Sequence, residues 1–586
     1  MKSKNNKSKN NKYIFHQLNE LFDRAILEIV KDPKIKLNYQ IDRTKNISHG
    51  DFSCNAAMTL SKHLKMKPFD IAQKIMDALG SNKIIFKTEI AGPGFINIFI
   101  KDEVYTNELK SILKQNADYG KIVRENPKKI LIEYVSANPT GPLHVGHGRG
   151  AAYGSTMSNI LKASGEEVVQ EYYVNDGGRQ MDILALSVYL RYLQFNHESF
   201  NYPEKCYQAE YVEEIALNIH REKGVQFPPS DKLIHLLDNN DSSEESLDNL
   251  INELKDLLNQ NYDLFFNAGL DSILSDIKHD LGEFGVTFDI WASEKKFLSG
   301  NIYMDCIQKI KDSDFTYEKD GALWFSSMEF GDDKDRVLIR DNGQPTYFAS
   351  DLAYHIDKYE RDFDQYINVW GADHHGYLKR MEAGLEASKK NPKLLKVIFI
   401  QFVSLFKKGE KVQMSTRSGN YITLRELRDE VGNDATRFFY VSRSSDQHLD
   451  FDMTLAIEHS NENPVFYVQY AHARLCSILR QADISLEKLV STSDLSLLTN
   501  DQEINLMKEL SKFPEHIEMS SKTLSPQIIT SYAKNISSLF HTNYAANKVI
   551  VDNEALMRAR LSLCYATKFV INNVLDLIGV SAPEKM

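Results

Sequence analysis

The segment Pro142-Leu143-His144-Val145-Gly146-His147-Gly148-Arg149 sets two imidazoles three residues apart in a glycine-rich turn. A near-continuous apolar run, Lys129–Val135, precedes it, and a helical pattern to about Ala163 follows. Where a strand turns into a helix, backbone N–H groups and the positive end of the helix dipole favour an anion. Gly146 has no Cβ, so an adenine ring could stack directly on the backbone. His144 and His147, as donors, could stabilise charge on a reacting phosphate without transferring a proton. An ordinary glycine turn with two incidental histidines would look the same in isolation. His144/His147 and His374/His375 also form two close pairs, but HExxH and cysteine ligands are missing, so no protein-held metal is expected.

Two more segments belong to the same chemistry. Val412-Gln413-Met414-Ser415-Thr416-Arg417-Ser418-Gly419-Asn420 follows the basic stretch Lys407-Lys408-Gly409-Glu410-Lys411. A positive loop containing serine and glycine suits a pyrophosphate leaving group. Gly371-Ala372-Asp373-His374-His375-Gly376 follows the strand pattern DQYINVW. Loops at the C-terminal ends of parallel strands are where ligands bind in such sheets.

The elements that must hold these loops are legible. The run KILIEYV, the loop, the helix and the second run EVVQEYYV make a βαβ unit opening a doubly wound, Rossmann-like parallel sheet. DQYINVW and KVIFIQFV are its later strands. The intervening sequence is acid-rich and mostly helical, and is read as an insertion at about 195–300. The expected organisation is multidomain α/β. Residues 1–12 (MKSKNNKSKNNK) are a disordered basic tail. Residues 13–120 are a small α+β domain with a helix over Tyr13–Lys31, a second helix capped by Asp51, and a strand after the Gly-Pro-Gly turn. Residues 121–459 are the sheet domain, and 460–586 are all helical. In the last part Val468, Ala471, Leu475 and Ile478 share one helical face.

Composition narrows the class. The 586 residues are 42% hydrophobic and 26% charged, a globular profile. No apolar run reaches the ~18 residues of a bilayer span and no signal-peptide core opens the chain. No membrane association and a cytoplasmic location are therefore expected. Cys54, Cys206, Cys306, Cys476 and Cys564 are odd in number and widely spaced, which suits buried reduced thiols. The net charge of −11, from 81 acidic and 70 basic residues, argues against a polyanion partner only on average; a local basic path would escape it.

HVGH resembles the HIGH motif of class I aminoacyl-tRNA synthetases, and QMSTR sits where their KMSKS loop belongs. IEYVSANPTGPLHVGHGRGAA, EYYVNDGGRQ, TYFASDLAYH, GADHHGY and YAHARL together resemble the arginyl-tRNA synthetase family over about residues 13–586. The resemblance implies an ATP-dependent ligase that forms arginyl-adenylate and charges tRNA(Arg), with Mg2+ accompanying ATP, normally as a monomer. It implies that His144, Gly146, His147, Gly371, Asp373, His374, Met414 and Ser415 hold ATP, with His144 and His147 at the transition state. It implies an arginine site of Glu133, Asn138, Tyr347 and Asp351. A guanidinium needs carboxylates in a fixed fork, and Tyr347 and Asp351, four apart on a helix, share a face. Such a site rejects lysine by roughly 10⁴-fold or more through hydrogen bonding alone, so no editing domain is required. It also implies an N-terminal domain on the tRNA elbow, where Phe95 and Asn97 could stack on and hydrogen-bond one extruded base, and a C-terminal anticodon-binding domain. Tyr470, Arg474 and Tyr544 are weaker candidates there.

The chain departs from the pattern at one place. Gln413 and Thr416 replace the KMSKS lysines, and Gly141 occupies the position from which a lysine compensates in some relatives. Arg417, Arg149 and Lys411 are the available substitutes, with Arg417 the leading one. A small-molecule nucleotidyltransferase would share the HxGH loop but would need neither the arginine site nor the helical domain. A catalytically silent tRNA-binding paralogue fits the lost lysines, but not the retained HVGH, Glu133, Asn138 and Asp351.

Overall fold

The structure, a computed structural model, describes residues 13–31, 38–196, 198–299, 301–412 and 422–586. The N-terminal part is an antiparallel sheet of order β1-β2-β4-β3, made of β1 (Ile41–Arg43), β2 (Phe52–Cys54), β3 (Ile85–Ala91) and β4 (Phe95–Ile100). Helices Ile14–Val30, Ala56–Leu64 and Pro68–Leu79 pack with it. The helix after Asp51 is not capped by that residue. Phe52–Cys54 is a strand, and Asn55 occupies the cap position. Asp51 instead accepts from Ile100 N at 2.8 Å and pairs with Lys508 Nζ at 2.7 Å, tying this domain to the C-terminal one.

The main sheet is built on β5 (Lys129–Glu133), β6 (Glu167–Val174) and β7 (Ile290–Ser293). A small antiparallel sheet, β8 (Thr316–Lys319), β9 (Ala322–Phe325) and β10 (Arg336–Ile339), follows. Then β11 (Gln365–Gly371) and β12 (Leu395–Ile400) complete the main sheet in the order β12-β11-β5-β6-β7, every pair parallel. Ile130, Leu131 and Ile132 are buried, as a strand covered on both faces requires. The chain leaves β5 in one direction across the sheet and returns to β11 on its other side. The crevice at the β5/β11 carboxyl ends is thus the ligand-binding switch point of such a sheet.

The span 195–300 differs in one respect from the expected helical insertion. Helices Glu210–Lys223, Asp231–Asp238, Glu244–Leu258 and Tyr262–Glu283 fill it, but β7 lies at its end and forms the sheet edge. Its four residues, Ile-Trp-Ala-Ser, are too short and mixed to show a period. The small β8–β10 sheet escaped for the same reason. After β13 (Val403–Lys407), β14 (Glu410–Lys411) and β15 (Leu449–Asp452), the described residues from Pro464 onward are helical. The final helix, Glu554–Ile578, is long and apolar enough to cross a bilayer, but Leu561, Ala566, Val570 and Val574 are buried in the helical domain. All five cysteines are buried and unbridged.

Candidate active site

The helix Val145–Ala163 begins at His144, whose backbone is extended. His144 Nδ1 accepts from Gly146 N at 3.0 Å and His147 N at 3.3 Å, while His144 N donates to His147 Nδ1 at 3.3 Å. This is a capping box built from two imidazoles, satisfying N–H groups that the first turn leaves open. Their rings stack with centroids 3.5 Å apart. Because each Nδ1 accepts, the neutral rings carry their proton on Nε2. Burial holds both below the ordinary imidazole value, His147 down to about 3. They are therefore neutral hydrogen-bond donors at physiological pH. Gly146 has a second reason to be glycine: a Cβ there would lie 2.9 Å from His144 Cε1, displacing the capping ring.

The segment after residue 421 returns to this loop. Val145 N donates to Ile422 O at 3.3 Å and Leu424 N to Leu143 O at 2.7 Å. Before it, Val412 N donates to Leu405 O at 2.9 Å. Met414, Ser415 and Arg417, with Gln413 and Thr416, lie outside the described residues. Lys411 is exposed on β14. Arg149 is removed from the candidates for the missing charge. It is buried, with Nη1 donating to Gln401 O and Gln447 O and Nη2 to Ser444 O, at 2.7–3.0 Å. A guanidinium spent on three carbonyls inside the protein cannot meet phosphate.

On the neighbouring strand, β11 ends at Gly371 and runs into the turn Ala372–His374. A Cβ on Gly371 would lie 2.4 Å from Asp373 Oδ1, so the glycine lets that carboxylate fold back over the strand end. Asp373 and His374 are exposed and 3.5 Å apart, and His375 stacks on Phe399.

Beside this lies an acidic pocket. Asp351, on the helix Tyr347–Glu360, accepts from the Tyr377 hydroxyl at 2.6 Å. Burial, with repulsion from Glu133, pushes its carboxyl up to about 6 despite that hydrogen bond. Sequence reasoning missed Glu294, the residue directly after β7. It is 5% exposed, its Oε2 has no hydrogen-bond partner, and burial, aided by Asp351 and Asp176, pushes it up to about 7. The buried Tyr173 hydroxyl lies against this carboxylate, and burial, aided by Glu294, Asp351 and Glu133, pushes its titration up. Orphaned buried acceptors are costly, and a group with matching donors and positive charge would offset that cost.

The other expected arginine-site residues differ in placement. Glu133 is buried and ion-paired to the buried Lys358, and accepts from Ser136 Oγ at 3.1 Å. Asn138 is exposed, its Oδ1 accepting from Asn175 Nδ2 at 3.0 Å. Tyr347 starts its helix and is 63% exposed, so it sits at the rim.

In the N-terminal sheet Phe95 is exposed, but Asn97, which shares its face of β4, is 6% exposed. The open surface for a base is therefore the Phe95 ring, and Asn97 is buried further along the strand, paired with Ser53 and Glu89. In the helical domain Arg474 lies over the rings of Tyr470, at 4.6 Å, and Tyr544, at 5.3 Å, bringing those three weak candidates into one cluster.

Three family models match in succession: the arginyl tRNA synthetase N terminal domain over residues 16–100, the catalytic domain of class I tRNA synthetases (R) over 108–453, and the DALR anticodon binding domain over 468–586. An arginine–tRNA ligase of Thioalkalivibrio sulfidiphilus is 46% identical over 585 residues, covering 97% of this chain and 100% of that protein. The chain belongs to the arginyl-tRNA synthetase family. One from Coxiella burnetii is also 46% identical, over 97% of this chain and 99% of its own. The arginyl-tRNA synthetase of Thermus thermophilus shares the fold, with a TM-score of 0.75 over 98% of this chain and 100% of that one at 20% identity. The catalytic family model ends near β15 and the anticodon-binding one begins inside the helix Pro464–Ala482, so membership accounts for both the parallel sheet and the helical domain.

Proposed function

We propose that this arginyl-tRNA synthetase family member joins arginine to tRNA(Arg) in two steps, in the site just described. An arginine carboxylate oxygen attacks the α-phosphorus of ATP, and the bond to pyrophosphate breaks. The terminal ribose hydroxyl of tRNA then attacks the arginyl carbonyl and AMP leaves. The observation that carries this reading is the acid group of half-buried Asp351 and buried Glu294, whose Oε2 has no hydrogen-bond partner, on the same carboxyl-end side of the parallel sheet as two neutral capping histidines. A guanidinium supplies the missing charge and donors in a fork. In this reading Asp351 and Glu294 grip the guanidinium, and Tyr347 closes over it. Asn138 meets the amino-acid end, while Glu133, held by Lys358, sets the pocket's field.

ATP would lie with adenosine over Gly146 and the Gly371–His374 turn, Asp373 at the ribose, and Met414 and Ser415 against it from the loop side. The Nε2–H groups of His144 and His147 would face the phosphates. Positioning and preorganised charge, rather than covalent chemistry, then supply the rate. Arg417 would meet the departing pyrophosphate. Mg2+ fits as an ion carried by the ATP phosphates, whose charge it screens. Among the described residues the one cation-like cluster, His279, Asp280 and Glu283, has its carboxylates held by Arg425 and Arg428. On the tRNA side, Phe95 offers a stacking face and the Tyr470–Arg474–Tyr544 cluster a second one. We take the enzyme to work as a cytoplasmic monomer without a membrane partner.

ATP–pyrophosphate exchange with each of the common amino acids, with and without tRNA, tests the reading. Exchange driven by arginine alone is expected. Exchange driven by another amino acid, or none under any condition, refutes it.

A further inference from the structure

Arg437, in the helix Asn433–Ser442, is 1% exposed and has no ion-pair partner among the described residues. Burial pushes its guanidinium down to about 10. An unpaired charge so deep is expensive unless dipoles replace the missing counter-ion. Two helix ends do so. Its Nε donates to Ile578 O at 2.9 Å, the last residue of the helix Glu554–Ile578, and its Nη1 to Phe284 O at 2.8 Å, at the C-terminal cap of the helix Tyr262–Glu283. Carbonyls at helix C-termini carry the negative end of the macrodipole and lack intrahelical donors. The remaining arm, Nη2, donates to Ser155 Oγ at 2.8 Å, on the helix that begins at His144. One guanidinium thus holds the final helix of the C-terminal domain, the longest helix of the insertion and the helix that carries both histidines.

The surroundings reinforce this junction. Three residues along, Tyr440 donates to Val145 O at 2.8 Å, at the first turn of the histidine helix. At the other end of its helix, Asp434 accepts from Ser581 N at 2.9 Å and Gln469 Nε2 at 2.7 Å, both in the C-terminal domain. The histidine helix itself reaches across, with Asn159 Nδ2 donating to Leu577 O at 3.2 Å. Gly579 leaves room for the arrangement: a Cβ there would stand 2.6 Å from the guanidinium.

We propose that Arg437 is a positioning residue that makes the seating of the C-terminal and insertion helices set the placement of His144 and His147. Ser155 lies eleven residues into the helix, about 16 Å along a rigid rod from His144, so a shift at the junction arrives undamped at the phosphate site. Arg437 touches no reactant. It acts on turnover through the histidine helix and leaves the arginine contacts as they are. This role rests on the aminoacylation reading above.

The test uses the full chain and three variants, Ser155→Ala, Arg437→Lys and Arg437→Gln. Arginine-dependent exchange gives kcat and both KM values, and thermal unfolding gives stability. Lysine keeps a cation at the two helix ends but cannot reach all three acceptors. Arg437→Lys is therefore expected to recover most of the unfolding temperature lost in Arg437→Gln, while its kcat stays about ten-fold or more below the parent with the KM for arginine within about two-fold. Ser155→Ala removes Arg437's bond to the histidine helix, with the back-bond to Ala152 O at 3.2 Å, and leaves one buried N–H unpaired, so its unfolding temperature falls less than that of Arg437→Gln while its kcat falls about as far as in Arg437→Lys. Parental kcat in folded Ser155→Ala and Arg437→Lys overturns the proposal, as does a kcat that merely follows stability across the set. Absence of arginine-dependent exchange in the parent would instead count against the aminoacylation reading.

Discussion

Replacing Asp351 with asparagine keeps an oxygen for the Tyr377 hydroxyl, 2.6 Å away, and removes one charge from the pocket. Two unit charges ~4 Å apart at an effective dielectric of ~20 attract by about 4 kcal/mol. Removing one member of a buried charge pair costs about 2–5 kcal/mol. At about 1.4 kcal/mol per decade, the KM for arginine in ATP–pyrophosphate exchange should rise about 30-fold to 1,000-fold or more, with the KM for ATP little changed. The pH dependence follows from the same carboxyls. Asp351 at about 6 and Glu294 at about 7 are protonated in acid, so parental kcat/KM for arginine should climb between about pH 5.5 and 7.5. The imidazoles are held low, so kcat at saturating arginine should show no histidine step there. Stability moves the other way. The folded value of Asp351 lies above its ordinary 3.8, so the folded state holds the extra proton between about 4 and 6, and stability falls as pH rises through that window. The full cost is about 3 kcal/mol. Above pH 6, ligand-free Asp351→Asn should therefore unfold at a higher temperature than the parent and lose most of the stabilisation by arginine. A variant destabilised at pH 8, or an arginine KM within about three-fold of the parent, refutes this account of the pocket.

Gly146→Ala puts a Cβ 2.9 Å from His144 Cε1; adenylate formation should drop about 100-fold or more, with a loss of about 1 kcal/mol in stability, measured by exchange and by urea titration. Lys358→Met strands buried Glu133 and should cost about 3–5 kcal/mol in the same titration at pH 8. Adding Glu133→Gln should return much of that, and an additive double variant would exclude the coupling. Measured separately, Arg417→Ala should slow adenylate formation about ten-fold or more, and Lys411→Ala should leave it near the parental rate. Full activity in both would place the leaving-group charge elsewhere.

What could be read from the chain alone was whatever a period or a local motif announces. The apolar runs opening at 129 and 167, the glycine loop between them and the helical face of Val468 and Leu475 all obey short-range rules, and the structure has strands at 129–133 and 167–174 and a buried helix face there. The His144 cap is local as well, although the mutual capping of the two rings shows only in the folded structure. The pocket is another matter. Asp351 was marked by its neighbours in TYFASDLAYH, but Glu294 lies 57 positions earlier in a stretch of ordinary charged residues. Nothing local separates it from a solvated helix acid; only tertiary packing strips its water. Arg149 misled for the converse reason. Beside a phosphate loop it reads as a phosphate ligand, and only its three carbonyl partners show that it holds the chain near Ser444 and Gln447.

The position of Glu294 at the exit of β7 matters to anyone trimming this protein. The helices between 196 and 288 look dispensable, a block that could be excised to leave a minimal adenylating core. Yet the chain that leaves that block forms the edge of the main sheet and carries a pocket acid on its next residue. A deletion that rejoins the chain beyond residue 300 would lose a strand, an acid and the Phe284 carbonyl together. One that rejoins it before Phe284 would keep all three. The boundary of a working miniature is thus fixed by the return path of the insertion, not by the helices that give it its bulk.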